Sequence, residues 1–280
     1  MSGIIAVASM HFGSGFGALM ASLLRSHSRP GETLVECLTE GTGAVWSCPS
    51  LQELLERTLK PSALIGISVR PAVGVVAHLR ARGIPVVLID EEVEGATTVA
   101  CDNIAGGMIA AQHLVNGGRR SLAVVCGRRT IEGGYSASRR VKGFEQGLSS
   151  AGLSLPAENV LEVVKYTRKE GVAAMLELLG RARTVDGIFC AAGDLCATGM
   201  LSAAHRRQVR IPEQLAVVGF DDHPMSGITD PPLTTIRQPV ERIAAEAYRL
   251  ATCEIEAIRA RPRTIVFPPE LVPRRSTVKC

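Results

Sequence analysis

Ala216-Val217-Val218-Gly219-Phe220-Asp221-Asp222 is an apolar run that ends on two carboxylates. Without polar alternation, such a run predicts a parallel strand covered on both faces. Acids at the carboxy-terminal end of that kind of strand stand where open α/β sheets bind ligands. They serve equally well as caps for the next turn, and on this feature alone both readings stay open. Runs of the same kind lie at 4–8, 63–67, 86–89, 122–125 and 187–190, and a strand with Glu162 inside it is expected at 160–164. Asp90 closes the run at 86–89, and Asp194 follows Ile188-Phe189-Cys190. Three strand-terminal acids exceed what capping alone predicts.

Helical patterns fill the gaps. Asp102 or Asn103 is placed to cap a helix whose stripe reads Ile104, Met108, Ala111 and Val115, with Gly117-Gly118 to stop it. Val141, Phe144 and Leu148 recur at helical spacing, and so do Met175, Leu176 and Leu179. Pro239 suits the first turn of a helix carrying Ile243, Ala247 and Leu250. Strands alternating with helices through most of the chain predict a doubly wound α/β fold. Neither Pro231-Pro232 nor Pro268-Pro269 is followed by enough residues for a new domain, so the chain returns late to earlier structure, as two interleaved lobes require.

Composition narrows the function. With 46% hydrophobic and 21% charged residues, the 280-residue chain is neither disordered nor fibrous. A net charge of +4 is too small to mark a nucleic-acid surface, and 4% aromatics cannot build a stacking platform for single strands. The eight cysteines are scattered, without CxxC or zinc spacing, and several sit in apolar runs; they read as reduced thiols of a cytoplasmic protein. Residues 2–24 carry no charge, but Gly13, Gly15 and Gly17 interrupt them and no basic segment precedes them, so neither a signal peptide nor a membrane helix is expected.

Few residues offer chemistry. Gly13-Ser14-Gly15-Phe16-Gly17-Ala18 matches GxGxxA after a strand, with Glu36 as the acid a dinucleotide ribose would need. That leaves an NAD-dependent oxidoreductase as a rival, although only His11 offers itself for proton transfer. No nucleophile elbow, metalloprotease helix or P-loop lysine occurs, and the six histidines are isolated. Hence no catalytic residue, cofactor or metal is expected. Arg139-Arg140 sits near the positive end of a helix, where a ligand or a carboxylate would compensate it, unless the pair is simply solvated. Tyr166 follows the strand at 160–164 and either packs on a ligand face or covers the core edge.

Read together, these segments resemble the LacI/GalR family of bacterial regulators. The resemblance rests on Asp102-Asn103 with Gly106-Gly107 and His113-Leu114, Arg140-Val141-Lys142-Gly143-Phe144, Ile211-Pro212-Glu213 leading to Gly219-Phe220-Asp221-Asp222, and the tail from Pro231 through Gln238-Pro239 to Arg274-Arg275-Ser276-Thr277. It implies a periplasmic-binding-protein-like type I core, with an amino-terminal lobe of 1–100 plus 238–267 and a carboxy-terminal lobe of 101–237 plus 268–280. Such a core binds a sugar, nucleobase or nucleoside between its lobes, and it dimerises. It reaches operator DNA only through a helix-turn-helix headpiece, which is absent here; the Met1-Ser2 start favours a core cut from a longer chain over a headless relative. Carried over by position, the effector contacts are Asp90, Arg140, Asp221 and Gln238, then Tyr166, Asp194, and Phe12 with Ser14 in the first turn. Arg140→Ala and Asp221→Ala are each expected to abolish effector binding with the fold intact. Gly193 departs from the pattern, since many sugar-binding members carry asparagine there, and this keeps a purine-like effector open. A solute receptor of the same fold is a further rival, although it would need export.

Overall fold

The computed structural model describes residues 3–9, 15–39, 61–129, 135–181, 185–253 and 261–278. The chain divides into two units: Met1–Cys101 with Ile131–Tyr135 and Pro239–Phe267, and Asp102–Thr130 with Ser136–Gln238 and Pro268–Cys280. In the first unit, β1 (Ile4–Ser9), β2 (Thr33–Leu38), β3 (Ala63–Ile67), β4 (Val86–Ile89), β5 (Thr97–Cys101) and β11 (Thr264–Phe267) form one sheet in the order β11-β5-β4-β3-β1-β2. Every pairing in it is parallel. Helices α1 (Gly15–His27), α2 (Val73–Ala81) and α7 (Val240–Thr252) belong to this unit.

In the second unit, β6 (Leu122–Gly127), β7 (Val160–Val163), β8 (Gly187–Cys190), β9 (Ala216–Asp221), β10 (Thr234–Arg237) and β12 (Glu270–Val272) run in the order β12-β10-β9-β8-β6-β7. Only the β10–β12 pairing is antiparallel. Helices α3 (Asn103–Asn116), α4 (Tyr135–Ser149), α5 (Arg168–Leu179) and α6 (Asp194–Arg206) accompany this sheet. The two-residue period of a strand explains why the runs are apolar throughout. Val217 joins one core and Ala216, Val218 and Phe220 join the core on the opposite face; Ile188 and Phe189 divide the same way.

Asp102 caps α3, its carboxylate accepting from the Ala105 N–H at 2.9 Å. The buried face of that helix shares only Ala111 with the stripe expected from the sequence. Asn103, Gly106, Gly107, Ala110, Ala111 and Leu114 face inward, while Ile104, Met108 and Val115 are half-buried. The reason is a close helix crossing. A Cβ on Gly107 would overlap the carbonyl of Arg140, and one on Gly143 would overlap the carbonyl of Ile104. Helices α5 and α6 repeat the device, with Gly171 against the Cys196 carbonyl and Gly199 against that of Arg168. There Leu176 is exposed and Leu178 is buried instead. Backbone approach selects the face here, and a hydrophobic stripe does not record it. Among the described residues, no helix is long and apolar enough to cross a membrane.

Candidate functional site

In the second unit, the carboxy-terminal ends of β6, β8, β9 and β10 bring Gly127, Asp194, Asp221 and Gln238 to one edge of the sheet. Asp221 is the last residue of β9 and has φ +110°; Asp222 follows at +56°. In the first unit, Asp90 stands after β4 at φ +60°. Among the described residues, five non-glycines have positive φ, and these three acids are the majority of them. Left-handed backbone at non-glycine positions is uncommon and concentrates at functional sites.

Gln238 is buried, and its Nε2 donates to Asp221 Oδ1 at 2.7 Å. A carboxylate accepts but cannot donate, so it fixes which way the amide points. The other end, Gln238 Oε1, is buried with no hydrogen-bond partner among the described residues. This acceptor calls for a donor. Asp222, one residue on from Asp221, faces a different set: Arg237 Nε donates to Oδ2 and Arg274 Nη2 to Oδ1, both at 2.7 Å. Burial pushes the Asp222 carboxyl up, but those arginine hydrogen bonds outweigh it and hold it below its ordinary range.

Arg140, on α4, is buried. Its Nε donates to Asn103 Oδ1 at 2.7 Å and its Nη1 to the Ala191 carbonyl at 2.9 Å. The guanidinium carbon stands 3.6 Å from the centroid of the Phe220 ring, a cation–π contact. Asn103 and the Phe220 face are partners the sequence reading missed. These contacts add a stability cost to the Arg140→Ala variant. Truncation strips two buried acceptors of their donor, which costs stability as well as any ligand contact.

Asp194 is placed deeper than a direct contact requires. It is fully buried and opens α6, accepting from the His223 N–H at 2.9 Å, Ser226 Oγ at 2.6 Å and Thr235 Oγ1 at 2.7 Å. Tyr166 is 44% exposed, with its hydroxyl end over Gly127, where a Cβ would overlap the ring. Phe12 and Ser14 lie outside the described residues.

Glu91, beside Asp90, went unremarked in the sequence. It is buried, and neither carboxylate oxygen has a hydrogen bond of ordinary geometry; Arg70 Nη1 is 3.6 Å away. Burial first, then the charge of Asp90, pushes its carboxyl up to about 7 against the pull of Arg70. Glu36, the acid of the dinucleotide reading, is engaged by Arg25 in an ion pair. No group of three or more His, Cys, Asp or Glu among the described residues is placed to hold a metal.

A family model described as "Periplasmic binding protein-like domain" matches residues 111–277. Together with the similarity to curated regulators, this decides the assignment. The chain belongs to the LacI/GalR family. HTH-type transcriptional regulator CelR of Thermobifida fusca is similar to the LacI/GalR chain at 35% identity, over 65% of this chain and 52% of that protein. HTH-type transcriptional regulator MalR of Streptomyces coelicolor is 37% identical over 71% of this chain and 58% of that protein. A solved "transcriptional regulator CelR-cellobiose complex" matches with TM-score 0.83 and 26% identity, over 98% of this chain and 84% of that one. This LacI/GalR chain thus spans little more than half the length of the two curated relatives. Those relatives are regulators, not enzymes, and the chain is an effector-binding domain of that family.

Proposed function

We propose that this chain senses a neutral, hydroxyl-rich solute, a sugar, on behalf of a transcriptional repressor. The observation that carries the reading is the Asp221–Gln238 pair: a carboxylate and a buried, donorless amide oxygen at the carboxy-terminal edge of one parallel sheet. Both are acceptors, and sugar hydroxyls are donors. Arg140 supplies a donor at the same strand ends, and Tyr166 a ring face. The cellobiose complex of a similar regulator supports the class of ligand.

On this reading the effector lies between the lobes, with Asp90 reaching it from the amino-terminal one. Lobe closure is then favoured by as much as the ligand's affinity differs between the open and closed arrangements. The homodimer of the longer protein carries that bias to headpieces on two operator half-sites. A purine-like effector is the second reading, favoured by one residue: Gly193 offers no amide where many sugar-binding members have asparagine.

Thermal-shift screening of the purified chain against neutral mono- and disaccharides, sugar phosphates, purines and nucleosides tests this. A saturable rise with a neutral sugar is expected, because a ligand of the native state stabilises it by mass action. Rises confined to purines or nucleosides would replace the first reading with the second. Rises confined to phosphorylated sugars would overturn both.

A further inference from the structure

Gly127 stands apart from the glycines of the helix crossings. It is the last residue of β6, buried, and pairs with Val163 at the end of β7. Its φ is not left-handed, so the backbone itself would accept a side chain there. What excludes one is Tyr166. A Cβ on Gly127 would overlap the phenol oxygen and stand 2.7 Å from Cε1 and Cζ of that ring. At Gly107, Gly143, Gly171 and Gly199 the obstacle is the backbone of a neighbouring helix, which gives way only at a cost. At Gly127 it is the far end of one exposed side chain, free to swing into solvent. A glycine inside a strand marks such a close approach.

The stem of Tyr166 is held independently of its ring. The Thr167 N–H donates to the Lys165 carbonyl at 2.7 Å, closing a three-residue turn centred on Tyr166. The Lys165 N–H donates to Glu170 Oε2, and Thr167 Oγ1 accepts from the Glu170 N–H at 3.4 Å, capping α5. With the backbone tied on both sides, the freedom left to Tyr166 is its rotamer, and the bare backbone of Gly127 is the surface its hydroxyl end rests on.

We propose that Gly127 is a positioning residue for effector recognition: by carrying no side chain it seats the Tyr166 ring over the end of β6, ready to stack on a ring-shaped effector held by Asp221 and Gln238. This rests on the reading of Tyr166 as an effector contact. Gly127, Asp221 and Gln238 share one edge of the sheet, so the seat lies on the side where those groups stand. A ring fixed in advance gives up little conformational freedom on binding, and it meets the C–H face of a sugar, or a purine, without being reordered. A methyl group at position 127 turns the phenol away. The chain stays folded, and the effector loses its platform.

Two measurements test this. The chain has three tyrosines, so selective labelling lets the Tyr166 ring be followed by NMR. In the wild type its ring protons should show a nuclear Overhauser contact to the Gly127 α protons. In Gly127→Ala that contact should vanish, while the urea midpoint stays at or above the wild-type value, because alanine suits a strand better than glycine. This arm needs no effector, so its failure is distinct from failure of the sugar reading. An absent wild-type contact, or a midpoint that falls as at the helix crossings, would overturn the seat. The second measurement is a double-variant cycle by calorimetry, with whichever neutral sugar or purine gives the largest thermal shift. Gly127→Ala and Tyr166→Ala should each weaken binding about tenfold, and the double variant should bind no more weakly than Tyr166→Ala. Losses that multiply to about a hundredfold would show that Gly127 acts without Tyr166 and overturn the positioning role. Wild-type affinity in Gly127→Ala would overturn it as well.

Discussion

Asp221 and Asp222 are chain neighbours put to different uses. Asp222 is clamped by Arg237 and Arg274, whereas Asp221 meets an amide whose far end lacks a donor. Asp222→Asn should cost about 1 kcal/mol, discounted because Arg237 is half exposed. Its folded carboxyl lies below the ordinary value, so its stabilisation is complete at neutral pH and lost as pH falls through the acid range. Denaturation of the two proteins from pH 3 to 7 checks this, since the difference between them should grow with pH. Glu91 has the opposite sign. Raised from 4.5 to about 7, its contribution is fully present below 4.5 and is lost as pH rises towards 7. Glu91→Gln should therefore be more stable than wild type at pH 8, with the gap closing near pH 4; a variant less stable at pH 8 would show that the Arg70 ion pair outweighs desolvation.

At the scale of elements, the glycine-lined helix crossings hold α3 against α4 and α5 against α6. Gly107→Ala and Gly199→Ala force backbone apart, and each should lose about 1–3 kcal/mol or more in urea unfolding. Gly74→Ala on α2 is the control: nothing lies within 4 Å of its Cβ, and helix propensity predicts a gain of up to about 1 kcal/mol. These crossings also show where the sequence was legible. Strands such as β3, β4 and β8 were readable to the residue because burial on both faces leaves an unbroken apolar run. Edge strand β2 exposes Thr33, Glu36 and Leu38 and buries Cys37, and it gave no such run. The acids after β4, β8 and β9 stood out as polar ends to apolar runs. Glu91 did not, because nothing in Glu91-Glu92 distinguishes a buried acid from a solvated one. Nor could spacing foretell that Asp194 would be fully buried among three donors and Asp221 half-buried beside Gln238.

For the whole molecule, the expected behaviour is that of a dimer that binds a solute and gains stability on doing so. Sedimentation at micromolar concentration should give twice the 29.7 kDa chain mass, and a monomer would remove the route from effector to paired half-sites. At a hundredfold excess over Kd, a ligand stabilises by about 2.7 kcal/mol, a shift of several degrees in Tm. The most direct test of the central claim is calorimetric titration, with the neutral sugar that gives the largest thermal shift, of wild type and Asp221→Ala. Saturable binding in the wild type that weakens about tenfold to a hundredfold or more in the variant, as loss of hydrogen bonds to a charged group requires, is the predicted result. Equal affinity in the two proteins, or no neutral sugar that binds, would contradict it.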